Sequence, residues 1–126
     1  MVSEPKRQAS LVGIDHVQLA MPAGAEDEAR RFYVGVLGLV ELPKPPALAS
    51  RGGCWFEDGP VKLHLGVEVG FRAARKAHPA LLVDDLYHFV SERDLVVRWS
   101  DEIPGVDRCY VDDPFGNRIE LIDVSP

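Results

Sequence analysis

Four residues able to hold a divalent metal ion stand at matching places along the chain: His16, His64, His78 and Glu120. His16 and His78 each open an alternating stretch. His64 lies in Lys62-Leu63-His64-Leu65 and Glu120 in Arg118-Ile119-Glu120-Leu121, so the two histidine-to-ligand separations are 48 and 42 residues. Imidazole nitrogens together with a carboxylate oxygen suit Zn, Ni, Co, Mn or Fe(II). An ion with open positions on such ligands polarises substrate oxygens. The competing reading is an antiparallel sheet whose polar face meets water, where a lone histidine or glutamate is simply solvated. Recurrence at equivalent positions is what weighs against it.

The elements that must position these residues repeat as well. Leu11–Met21 alternates as a strand, with His16 and Gln18 opposite Val17 and Leu19. Ala25–Leu37 has helical spacing, acids in its first turn and Gly38 as a stop. Strands are expected over Leu39–Leu42, Gly53–Glu57 and Val61–Glu68, with a Pro-rich loop Pro43–Gly52 and the turn Asp58-Gly59-Pro60 between them. The order then recurs: a strand over His78–Val83, then a helix capped by Asp84 or Asp85 and reaching about Asp94. Strands follow over Leu95–Trp99, Arg108–Val111 and Arg118–Val124. Two strand–helix–strand–strand–strand modules result, about 11–68 and 78–124, joined by a linker over 69–77. Strand alternation puts Leu63, Leu65, Ile119 and Leu121 on the helix side and all four ligand-type residues on the opposite face.

Composition bounds the rest. A chain of 126 residues fits one domain, and 46% hydrophobic with 27% charged residues is ordinary globular usage. The net charge of −6 disfavours a nucleic-acid-binding role, which needs a basic surface. No apolar run reaches membrane-spanning length, and the polar leader Met1–Ser10 lacks a signal-peptide centre, so a soluble, cytoplasmic protein is expected. Cys54 and Cys109 form no CxxC motif and read as small buried hydrophobes.

The segments Gly13-Ile14-Asp15-His16-Val17-Gln18-Leu19, Arg31-Phe32-Tyr33 with Leu37-Gly38-Leu39, Val61–Leu65, His78–Asp85 and Asp112–Leu121 carry a family resemblance. Through them the chain resembles the vicinal oxygen chelate superfamily of glyoxalase I, bleomycin-resistance proteins, fosfomycin-resistance proteins and extradiol dioxygenases. The resemblance implies an α+β fold of two βαβββ modules. Their mostly antiparallel sheet is cup-shaped, with the helices on its outer face. It implies one such domain over 1–126, and a divalent metal bound by His16, His78 and Glu120, with His64 at the variable fourth position. It also implies a homodimer and a small, vicinally oxygenated substrate chelated through two oxygens, with Glu120 as the catalytic candidate. Glyoxalase I typically has a carboxylate where His64 stands, so that activity is disfavoured. The alternative the family offers is a non-catalytic, drug-sequestering cup. Arg51, Trp55, Arg98, Trp99, Arg108 and Tyr110 are candidates for lining or rimming the cup. Trp99 and Tyr110 are read first as packing residues, and Glu68 is a weaker candidate base.

Overall fold

The protein is described by a computed structural model covering residues 7–126, so part of the expected leader, residues 1–6, lies outside the described residues. Among the described residues eight strands form two four-stranded sheets. The first contains β1 (Val17–Met21), β2 (Val40–Leu42), β3 (Cys54–Asp58) and β4 (Val61–Val67), in the order β1-β4-β3-β2. The second contains β5 (Ala80–Val83), β6 (Arg98–Ser100), β7 (Arg108–Asp112) and β8 (Arg118–Asp123), in the order β5-β8-β7-β6. In each sheet the outer pair β1–β4 or β5–β8 is parallel, and the other two ladders are antiparallel. The fold is therefore α+β and mostly antiparallel, as expected, and neither sheet closes into a barrel.

The helices are α1 (Glu26–Tyr33), α2 (Pro46–Ala49) and α3 (Leu86–Glu92). Glu26, Asp27 and Glu28 place negative charge on the positive end of α1. Its tail unwinds through Gly38, whose φ of +82° lets Leu39 N–H reach the Tyr33 carbonyl at 2.9 Å. Asp85, the second of the two expected caps, accepts from His88 N–H. The Leu86 N–H is taken by Asp123 Oδ1 at 2.8 Å, which ties α3 to β8 and holds the Asp123 carboxyl below its usual range.

Several boundaries differ from the sequence expectation. β1 begins only at Val17 and β5 only at Ala80, leaving His16 and His78 just ahead of their strands. Pro79 has no N–H to enter a ladder, although its carbonyl still accepts from Glu120 N–H at 2.9 Å. The strand expected from Leu95 is displaced to Arg98–Ser100, because Leu95 N–H remains bonded to the Val90 carbonyl and Asp94 turns with φ of +50°. The expected loop Pro43–Gly52 contains α2, with Pro46 at its first turn.

One core joins both modules. Tyr33 stacks on Phe56 with ring centroids 5.2 Å apart and sends its hydroxyl across to Asp113 Oδ2 at 2.7 Å. Asp113 also accepts from Phe115 N–H, Asn117 N–H and Asn117 Nδ2, while Asn117 Nδ2 reaches the Ala20 carbonyl of the first module. Cys54 and Cys109 are buried in this core as free thiols, as read from the sequence. Among the described residues no helix is long and apolar enough to cross a membrane.

Candidate metal centre

Strand pairing sets the site face of each module. In the first sheet Gln18, His64, Trp55 and Leu42 form one cross-strand row. In the second, Ala80, Glu120, Tyr110 and Arg98 form the equivalent row. Side chains in a row share a face, so His64 matches Glu120 and Trp55 matches Tyr110. The expectation that the ligand-type residues lie opposite Leu63, Leu65, Ile119 and Leu121 fits this register, since those four are core residues.

In the first module His64 is sandwiched. Trp55 stacks on it at 4.3 Å between centroids and His16 at 4.2 Å. His16 Nδ1 meets the Asp15 carboxylate at 2.9 Å, which leaves its Nε2 as the free donor atom. The His64 ring is buried, and its Nε2 has no hydrogen-bond partner; Glu57 Oε2 stands 3.5 Å away. Burial, followed by the neighbouring His16 ring, lowers the His64 pKa and favours the neutral imidazole that a metal needs.

In the second module His78 Nδ1 lies 2.7 Å from the Lys76 carbonyl, and its Nε2 lies 2.9 Å from Glu120 Oε1. Both partners are acceptors, whereas a neutral imidazole has a single ring proton. An imidazolium, which carries both ring protons, would satisfy both, and so would a cation taking the place of the Nε2 proton. The other carboxylate oxygen, Oε2, accepts from Arg108 Nη1 at 3.1 Å, and Nη1 also donates to the Tyr110 hydroxyl at 2.9 Å. Burial raises the Glu120 carboxyl, but hydrogen bonds from His78 and Arg108 outweigh it and hold the group below its usual range. The Tyr110 ring lies under two guanidinium groups, Arg108 at 5.6 Å and Arg118 at 5.5 Å. Tyr110 is thus a site-face residue rather than core packing, because period two aims it with Arg108 instead of with Cys109. Trp99 is half-exposed and stacks on Tyr87 at 4.7 Å.

The structure brings the four residues together as two pairs, His16 with His64 and His78 with Glu120. Among the described residues no group of three or more His, Cys, Asp and Glu side chains is arranged to hold a metal ion within one chain. His78 and Arg118 line a groove of about 640 Å³ between β1 and β5, with Gln18 and Glu68 on its walls. The donor types suit a divalent ion, three imidazoles and one carboxylate; His64 Nε2 is buried without a partner, while His78 Nε2 and Glu120 Oε1 meet each other at 2.9 Å. Two contributors, Asp15 and Glu57, escape a search for ligand types at repeated places. Their signal is positional, Asp15 preceding His16 and Glu57 sharing the β3 face with Trp55.

No protein-family model and no curated protein matches the chain. Among solved structures, one of a glyoxalase family protein from Bacillus anthracis is 45% identical, with a TM-score of 0.87 over 93% of this chain and 98% of that one. FosX, a fosfomycin resistance protein from Listeria monocytogenes, shares the fold at 11% identity, with a TM-score of 0.69 over 90% of this chain and 94% of that one. TnmS3, an antibiotic binding protein from Streptomyces sp. CB03234, does so at 20% identity, with a TM-score of 0.67 over 92% and 98%. With two matching βαβββ halves and a near-full-length relative of this identity, the chain belongs to the vicinal oxygen chelate superfamily.

Proposed function

We propose that the protein is a metal-dependent enzyme acting on a small, vicinally oxygenated substrate in the cytoplasm. It works as a homodimer in which the His16–His64 pair of one copy faces the His78–Glu120 pair of the other. The observation that supports this reading is the buried Nε2 of His64, which has no hydrogen-bond partner among the described residues. A buried polar atom without a partner costs about 1–3 kcal/mol unless something satisfies it.

A divalent ion held by these four residues supplies Lewis acidity toward two adjacent substrate oxygens. The chain's own residues prepare the rest. Asp15 and the Lys76 carbonyl each engage Nδ1 of a histidine and so turn Nε2 toward the site. Arg108 holds one oxygen of Glu120 and keeps the carboxylate ionised. Trp55 covers the His64 ring and excludes water from it. Glu120 is the single carboxylate of the four and the group available to take a substrate proton.

The discriminating experiment is elemental analysis of purified protein alongside Glu120→Ala and His78→Ala. About one metal per chain in the parent and a sharp loss in both variants supports the reading, and unchanged occupancy in both rules the ligand assignment out. The second reading is a non-catalytic cup that sequesters a small molecule. The fold shared with TnmS3 and the stacked Trp55–His64–His16 column favour it, since an outer ring face of such a column can stack on a planar ligand. A protein that never holds stoichiometric metal moves the conclusion there.

A further inference from the structure

We propose that Arg108 anchors an oxyanion on the substrate, and that the loop after β6 carries a stand-in for it. This rests on the site proposed above and names its substrate class: a vicinally oxygenated molecule bearing a carboxylate or phosphoryl group. Arg108 is only 8% exposed, yet its Nε has no hydrogen-bond partner. Nη1 is committed to Glu120 and Tyr110. The opposite edge of the guanidinium, Nε and Nη2, meets only the carboxylate of Glu102, whose Oε2 lies 3.6 Å from Nη2 and whose side chain is 83% exposed. That distance is beyond a good hydrogen bond, so the Nε–Nη2 fork lacks the paired acceptor it is shaped to bind.

Arg108 also lines a pocket of about 550 Å³ bounded by Trp99, Ser100 and the loop Asp101–Asp107. It thus stands between Glu120 and an open cavity, one edge on the candidate ligand and the other toward the loop. That loop is exposed at every position except Val106, and the Glu102 side chain is open to solvent, so its carboxylate can swing aside without a change of the backbone. An oxyanion entering there displaces Glu102, occupies the free fork, and leaves the Arg108–Glu120 contact in place. The substrate's two adjacent oxygens then lie on the Glu120 side of the guanidinium. Arg118, over the same Tyr110 ring, adds positive charge to this half of the site.

The test is calorimetric titration of the purified protein, its metal content measured first, with tartrate, inorganic phosphate and threitol, the uncharged counterpart of tartrate. At least one anion should bind about tenfold or more tighter than threitol, as a lost charge-assisted pair commonly costs that much. Arg108→Met should erase this preference, Arg108→Lys keep part of it, and Glu102→Gln strengthen anion binding by removing the competitor. Tartrate preferred over phosphate assigns a carboxylate, and the reverse assigns a phosphoryl group. Neither anion preferred over threitol, or a preference that survives in Arg108→Met, overturns the anchor. Loss of metal in Arg108→Met with the preference intact reduces Arg108 to a positioning residue for Glu120 and overturns it too. A metal-free protein that still prefers the anion sinks the enzyme reading alone. Circular dichroism checks each variant's fold, and Arg108→Lys carries the test if the methionine variant misfolds.

Discussion

The two modules share a scaffold and differ in the chemistry they put on it. Cys54 and Cys109 hold equivalent core positions, as do Leu65 and Leu121. On the opposite face the first module sets an aromatic surface of Trp55, His64 and His16 with Asp15 and Glu57 at its edge, whereas the second sets Glu120 among Tyr110, Arg108 and Arg118. Where the second module has Arg108, the first has Gly53. There φ is +81°, and an added Cβ would lie 2.0 Å from the Leu65 carbonyl oxygen. A side chain cannot be placed there without moving the strand. The duplicated framework thus divides the work: one half offers nitrogen donors under an aromatic cover, the other a carboxylate held by arginine.

The sharpest way to break this comparison is to remove the charge. Glu120→Ala should weaken metal binding by more than the ~100-fold typical of losing a supporting partner, since it deletes a ligand and takes from buried Arg108 its buried carboxylate partner. His64→Ala, on the aromatic side, should cost less. Equal losses measured by competition with a chelator would show that the halves contribute alike.

The turns differ in the same way. Asp58 and Val61 close a tight turn through Gly59 and Pro60, with Asp58 exposed. Asp113, by contrast, is buried and takes four hydrogen-bond donors, including the Tyr33 hydroxyl of the other module. Asp113→Ala should therefore destabilise the fold by about 3 kcal/mol in urea unfolding, and Asp58→Ala by less than about 0.5. Comparable midpoints for the two variants would remove Asp113 as the clasp between modules.

A smaller effect concerns proton acceptance. The unaltered protein should show negligible isomerisation of the methylglyoxal–glutathione hemithioacetal with Ni, Co or Zn supplied. A ring nitrogen of His64 bound to an ion has no lone pair left to take a proton. His64→Glu, which copies the carboxylate of the second module into the first, should gain activity, about tenfold or more over that baseline. Robust turnover by the parent would show that the fourth ligand does not decide the reaction. The assembly can be checked at the same time, since sedimentation as a monomer at micromolar concentration would contradict the facing pairs.

The smallest contrast is expected where the modules are most alike. Burial pushes both the Cys54 and Cys109 thiols up to about 11, so each reacts only as the pH approaches that value. At pH 8 a thiol reagent should label neither in the native state and both in denaturant. Native labelling of one cysteine alone would break the equivalence of the two cores.

Much of this was legible in the chain. The placing of His16, His64, His78 and Glu120, the order of elements in each half and the free buried cysteines follow from residue type, period and repetition. Tyr110 was not legible in the same way: an aromatic on a short strand reads as packing until register shows it beside Glu120 and Arg108. The Asp113 cluster escaped too. Its Asp-Pro-Phe-Gly-Asn turn is visible, but Tyr33 reaches it across 80 residues of sequence.

Strand alternation and helix termini are local matters, settled within a few neighbouring residues by backbone geometry and backbone hydrogen bonding. The sequence by itself therefore determined which side chains share a face, where α1 gathers its acids and that the chain is built from two like halves. Only the tertiary structure decided that the four ligand-type residues form two pairs, that Asp15 and the Lys76 carbonyl engage Nδ1 of His16 and His78, and that Arg108 grips Glu120 through Nη1 while its Nε is left without a partner. Those outcomes depend on distances between strands remote in sequence, which packing and register set and no local pattern encodes.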